Sequence, residues 1–152
     1  MKALTTLIKL AERRTDEAVS AWQRLHAQCE DARHRLDLLQ RHGEEYRDLM
    51  RASLQRGMPA TSIAACIGFI GQIEAVASHQ QSELGQLEEA RARQWQELVK
   101  LRRERRMFEI LSERAAAKDA AITVQRQRRE IDEALLRAAQ TASPTSNTRK
   151  IW

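Results

Sequence analysis

The sequence predicts an all-α protein: an antiparallel two-helix coiled-coil hairpin whose second helix is the longer. Three observations lead there. Ala, Glu, Lys, Leu and Arg supply 80 of the 152 residues, a bias found in long helices rather than in mixed globular domains. Five Gly and two Pro are too few to turn the chain as often as a β-sandwich or an α/β sheet requires. Apolar residues also recur in alternating steps of four and three, the heptad signature of a coiled-coil seam.

The first helix, about 3–56, follows from that period. Its seam reads Leu4, Ile8, Ala11, Thr15, Ala18, Trp22, Leu25, Cys29, Ala32, Leu36, Leu39, Gly43, Tyr46, Met50 and Ser53, twelve of the fifteen being apolar. The residues between are mostly charged or polar. The pattern stops at Gly57-Met58-Pro59-Ala60-Thr61-Ser62. Gly57 suits a left-handed helix cap, Pro59 cannot continue a helix, and Thr61 or Ser62 can cap the next one. This is the turn, 57–62.

The second helix, about 63–141, has its seam at Ile63, Cys66, Ile70, Ile73, Ala77, Gln80, Leu84, Leu87, Arg91, Gln94, Leu98, Leu101, Arg105 and Phe108. Beyond about 111 a shifted stripe takes over: Ala117, Ala121, Val124, Ile131, Leu135 and Ala138. The polar segment 142–152, with Pro144, is expected to be a disordered tail after a single domain, 1–141. A short turn forces the helices antiparallel, with the numbers of facing residues adding up to roughly 119. That register sets Ala11 against Phe108, Ala18 against Leu101, and Trp22 level with Trp95, so large side chains meet small ones. At 1.5 Å per residue the helices would be ~80 and ~120 Å long. Residues 117–141 are therefore expected to project unpaired, a length of helix that gains little from propensity alone and suits entry into a partner.

The net charge of +5 invites a nucleic-acid reading, but its distribution weakens it. Residues 1–56 hold 11 basic and 9 acidic side chains, and residues 61–140 hold 13 and 12. Such mixing is the usual dress of a solvated helix face. The basic clusters are Arg102-Arg103-Glu104-Arg105-Arg106 and Arg126-Gln127-Arg128-Arg129. Neither precedes parallel heptads as a basic-zipper reader requires, and no aromatic platform interleaves with them. A solvated face, an acidic protein partner and nucleic acid remain the readings of these runs. Residues 74–89 carry four Glu and no Lys or Arg, whereas 91–106 carry seven basic and two acidic residues, a banding that can orient the protein in a charged channel.

No stretch is expected to reach the apolarity of a membrane span, and Lys9 with Glu12-Arg13-Arg14 spoils a signal peptide at the start. Two cysteines in such a chain read as free thiols in the cytosol. In the hairpin register Cys29 and Cys66 fall ~36 Å apart, too far for a disulfide or a shared metal. His26, His34 and His42 recur every eight residues, not at the spacing of a helical metal pair. There is no phosphate-cradling glycine loop, no H-E-x-x-H and no nucleophile elbow. No enzyme, metal or cofactor is expected.

The most informative stretch runs from Ile63 to Ala77. One seam uses Ile63, Cys66, Ile70, Ile73 and Ala77, which leaves Ile67, Phe69 and Val76 over. Either Met50 and Leu54 of the first helix widen the core to cover them, or they form an exposed partner-binding patch near the tip.

These residues resemble the flagellar FliJ family of type III export components. The likeness is carried by Leu4-x-x-Leu7-x-x-Leu10-Ala11-Glu12, Cys29-x-x-Ala32-x-x-x-Leu36, Glu45-Tyr46-Arg47, Phe69-Ile70-x-x-Ile73-x-x-Val76 and Asp132-Glu133. Ile73 and Val76 stand where Leu and Ala are more usual, and His42 where an aromatic is common. The resemblance implies a small cytosolic stalk, like the γ subunit of rotary ATPases. It would enter the hexameric export ATPase, promote its assembly and activity, and link it to the membrane-embedded export gate. It would also help recycle substrate chaperones. Carried over by position, the gate-binding surface would be Leu39, His42, Tyr46, Phe69, Ile73, Val76 and Gln80. The ATPase-binding end would include Ala117, Ala121, Val124, Arg128, Ile131 and Leu135. The protein would lie in the cytoplasm, peripheral to the inner membrane through its partners, with no nucleic acid expected. The equivalent stalk of a virulence secretion system, and a basic coiled-coil nucleic-acid binder, are the rival readings.

Overall fold

Where the heptads break, the chain turns. In the computed structural model, which describes residues 2–142, helix α1 spans Lys2–Gln55 and helix α2 spans Ala60–Thr141. Gly57 takes φ 82°, a left-handed conformation open to glycine without a Cβ penalty. Its N–H donates to the Leu54 carbonyl at 3.3 Å, closing the last turn of α1. On the other side, the Pro59 carbonyl already accepts the N–H groups of Ser62 and Ile63, both at 3.1 Å. Helix α2 therefore begins at Ala60 rather than near 63.

The described residues fall into two compact units. The first, Lys9–Arg105, is an antiparallel hairpin made from most of α1 and the beginning of α2. Its seam follows the heptads closely: of the α1 seam residues in this unit only Tyr46 is exposed, and every α2 seam residue is buried or half-buried. The two helices contribute unequally. Helix α1 buries small residues, Ala11, Thr15, Ala18, Cys29, Ala32 and Gly43, with Leu36 the exception. Helix α2 buries Ile70, Leu84 and Leu98. Large side chains from one helix fill the shallow spaces left by small ones on the other, as knobs-into-holes packing requires. Cys29, Ala32, Leu36 and Leu84 form the tightest cluster, with Ala77 and Leu87 packed on it. Thr15, the one buried polar residue among those described, donates its hydroxyl to the Ala11 carbonyl at 2.8 Å. Its polar group is thus satisfied within α1.

Contacts across the hairpin hold the register expected from the turn. Trp22 lies against Trp95, ring centroids 5.7 Å apart, and it also stacks on His26 at 5.0 Å. Arg91 donates to His26 Nδ1 at 3.1 Å, and Gln94 donates to the Ala18 carbonyl at 3.4 Å. Arg33 reaches Glu88 at 2.9 Å, and Arg47 pairs with Glu74. The hydrogen bond to Glu88, helped by nearby Glu30, holds the Arg33 guanidinium above its ordinary pKa.

The second unit joins the start of α1, up to Ile8, with the later part of α2, from Arg106. Leu4 and Ile8 are half-buried in it, as are Phe108, Ile110 and Ala115 of α2. From residue 116 to residue 142 every position is exposed. The expected tail, 142–152, lies almost wholly outside the described residues.

Candidate functional site

Two surfaces stand out: one flanks the two-helix seam, which covers only one face of each helix, and the other is the stretch of α2 on which every face is exposed. The first surrounds the turn of the Lys9–Arg105 unit. Between Arg56 and Glu74 the chain carries no charged residue, yet several of its large apolar side chains stay in water. Ile67 and Phe69 are exposed, Phe69 by 45%, and so is Val76 just beyond Glu74. Leu49, at 62%, and Leu54 on α1 are exposed as well. The wider core in which Met50 and Leu54 would cover these residues is therefore not what forms; the exposed patch is.

Within this patch Tyr46 and Phe69 meet edge to face, ring centroids 4.8 Å apart, across the two helices. They stand at one side of an apolar groove of about 350 Å³, lined also by Leu49, Met50, Ser53, Met58, Ala65, Cys66 and Ile70. Ile73 packs over Gly43, its Cγ2 lying 3.5 Å from where a Cβ on that glycine would be. Of the positions carried over as gate-binding, His42, Tyr46, Phe69 and Val76 are exposed, while Leu39, Ile73 and Gln80 are half-buried along the seam. The Gln80 Oε1 is a buried acceptor with no hydrogen-bond donor among the described residues, a state that costs about 1–3 kcal/mol. His42 turns outward to Glu45 at 3.5 Å.

Leu49, Met58 and Ala65 belong to the groove but not to the expected set, and Met50, Ser53, Cys66 and Ile70 line it from positions expected on the seam. Leu49 lies one step off the α1 heptad line, and Met58 sits in the turn. Periodicity assigns neither to a face, so only the folded hairpin places them beside Phe69.

The same stretch corrects the expectation that no segment nears a membrane span in apolarity. Helix α2 contains an 18-residue window that is, by length and composition alone, apolar enough to cross a membrane, and only 6% of it is buried. Gly, Ser and Gln interrupt the run of apolar residues without lowering the average far enough, and Glu74 is the only charged residue between Arg56 and Glu83. Its exposure makes the apolarity a surface property of the hairpin rather than the signature of a core helix.

The second surface is the exposed stretch of α2 from 116 to 142. Its stripe of Ala117, Ala121, Val124, Arg128, Ile131 and Leu135 is exposed throughout, Leu135 by 63%. Arg137 pairs with Glu133 here, within the helix, at 3.5 Å.

Among the described residues no group of three or more His, Cys, Asp or Glu is placed to hold a metal, and Cys29 and Cys66 are both free. The grooves are shallow and open to water. What the arrangement can do is bind: an aromatic pair beside an apolar groove, and a long helix presenting an apolar stripe.

In comparison with known proteins, the family described as "Flagellar FliJ protein" matches residues 1–143. Neither a curated protein nor a solved structure matches the chain.

Proposed function

This chain belongs to the flagellar FliJ family, whose members are components of the flagellar type III export apparatus, and from that premise we propose that it is the central stalk of the export ATPase. In this reading the helix 116–142 enters the hexameric ring. The groove beside Tyr46 and Phe69 docks on the export gate, in the company of Leu39, His42, Ile73, Val76 and Gln80. The protein escorts substrate chaperones back into use, and it works in the cytoplasm, held at the inner membrane by these partners.

The observation that carries this reading is the exposed helix 116–142. An apolar stripe left in water over that length costs stability and has no role within the chain's own fold. It is explained if a ring of subunits covers it when the complex forms. Ring entry needs no chemistry from the stalk. Contacts that favour some subunit conformations over others shift the ring's conformational populations and so its turnover. The basic residues Arg126, Arg128 and Arg129 supply the charge that would steer the helix into an acidic opening.

The test is ATPase turnover by the hexameric export ATPase with the full chain, and with a chain ending at residue 116. Stimulation by the full chain that is lost on truncation is the expected result. No stimulation, or stimulation that the truncated chain retains, refutes ring entry by this helix.

A further inference from the structure

The exposed stripe of α2 has a symmetry that ring entry does not require. Read in heptad steps it runs Ala117, Ala121, Val124, Arg128, Ile131, Leu135, Ala138, Ala142. Reversed, the order of sizes is nearly the same: two alanines at each end, an aliphatic residue inside each pair, and Arg beside Ile at the centre. The helical bonding extends through the whole stripe, since the Ala142 N–H still donates to the Ala138 carbonyl at 3.0 Å.

We propose that this stripe is also a self-association surface, on which residues 117–142 of two copies of the chain pair as antiparallel helices. In that register Ala117 faces Ala142, Ala121 faces Ala138, Val124 faces Leu135, and Arg128 faces Ile131, each layer occurring twice by the two-fold axis. The terminal alanines let the backbones approach, and the aliphatic layers fill the middle.

Charge selects both the partner and the direction. Among the described residues neither the Arg128 nor the Asp132 side chain has an ion-pair or hydrogen-bond partner in the folded chain. In the antiparallel pair the aliphatic stem of Arg128 lies along Ile131 of the second copy and its guanidinium reaches Asp132 at the edge of the seam. The two-fold axis makes that ion pair twice. A parallel pair would instead set Arg128 on Arg128 inside the seam, with like charges facing. The layers number few and the end layers are small, so the dimer is weak and exchangeable, as a surface shared with another partner needs to be.

Self-association rests on the exposed stripe and not on ring entry. It is tested on the full chain alone, without the ATPase, so either reading can fail while the other stands. Sedimentation equilibrium up to about 100 μM, where micromolar association is resolved, is expected to show a monomer–dimer equilibrium. Arg128→Glu sets a carboxylate against Asp132 of the second copy, and Asp132→Lys sets an ammonium against Arg128. Each variant alone is expected to dimerise at least about tenfold more weakly. In an equimolar mixture of the two, the heterodimer sets the introduced carboxylate of one chain against the introduced ammonium of the other and leaves the wild-type Asp132 of the first against the wild-type Arg128 of the second. Opposite charges then meet at both ends, so the mixture is expected to dimerise well above either variant alone, as a heterodimer of near wild-type affinity. The double variant Arg128→Glu/Asp132→Lys likewise restores both ion pairs, with their signs exchanged, and is expected to dimerise with affinity near the wild type. Because both residues are exposed and unpartnered, circular dichroism of the variants should match the wild type.

Direction is read from cysteine variants in a C29S/C66S background. Val124→Cys mixed with Leu135→Cys should cross-link on oxidation, whereas Val124→Cys alone should not. A monomer at all concentrations, a dimer indifferent to Arg128→Glu, a double variant that does not recover, or ready cross-linking of Val124→Cys with itself overturns the proposal.

Discussion

Leu98→Ala puts the hairpin seam to its most direct test. Leu98 is 2% exposed and, with Cys29, one of the largest side chains fully withdrawn from water. The substitution removes about three methylene equivalents, worth about 2.4 kcal/mol at about 0.8 kcal/mol per buried CH₂. A cavity contribution adds to this, but a seam between two helices is open at both sides and can partly collapse. The loss should therefore fall near the lower end of the Leu→Ala range, at about 2.5–3.5 kcal/mol. For a unit the size of Lys9–Arg105 that lowers Tm by about 10–20 °C. It lowers the urea midpoint by about 1–2 M at unchanged slope. Trp22 and Trp95, in contact within this unit, report its unfolding by fluorescence once Trp152 is replaced by Phe. Leu136→Ala, at a position 64% exposed, is the control and should stay within about 0.5 kcal/mol. A Leu98→Ala loss below about 1 kcal/mol, or one equal to that of the control, would refute the burial of α2 against α1 on which the register and the groove depend.

Phe69→Ala should cost about 1–2 kcal/mol, since only about half of the ring's burial and its edge-to-face pair with Tyr46 are lost; binding to the export gate, followed by titration calorimetry, should fall much further than that stability change implies. Gly57→Ala should destabilise by about 1 kcal/mol because of the left-handed φ, whereas Gly43→Ala, whose Cβ would sit in ordinary contact with Ile73, should stabilise by about 0.5–1 kcal/mol; paired urea titrations decide both signs. Arg33→Ala should lower Tm slightly in dilute buffer and leave it unchanged in about 1 M salt, because the pair with Glu88 is exposed and screened. The raised pKa of Arg33 works in the same direction at every usable pH: the cation is stabilised below its unfolded-state pKa, so no pH dependence between about 4 and 9 should trace to this group.

Much of this fold was legible along the chain because a two-helix hairpin is almost one-dimensional. The heptad spacing named the buried positions, Gly57 and Pro59 marked the turn, and the turn in turn set the register that brings Trp22 to Trp95. Helix periodicity is a local property, so these features need no knowledge of distant contacts. Charge balance was equally readable, and its even mixing reads as the solvated face of an exposed helix.

The tertiary structure alone decided what the leftover apolar residues do. Periodicity assigns Phe69 and Val76 to a face that the seam does not use, but it cannot say whether Met50 and Leu54 fold over them. The answer depends on how far a side chain on α1 can reach across the angle between the helices. Small residues on α1 draw α2 in close, so the seam narrows and the flanking faces stay in water. The groove beside Tyr46 and Phe69 is the consequence, joined by Leu49 from one step off the heptad and Met58 from the turn. The apolar stretch of α2 is likewise defined by its exposure and not by its composition, since the same residues inside a wider bundle would have been core. The sequence by itself determined which residues pair along the two helices; only packing decided which apolar residues were left over to meet a partner.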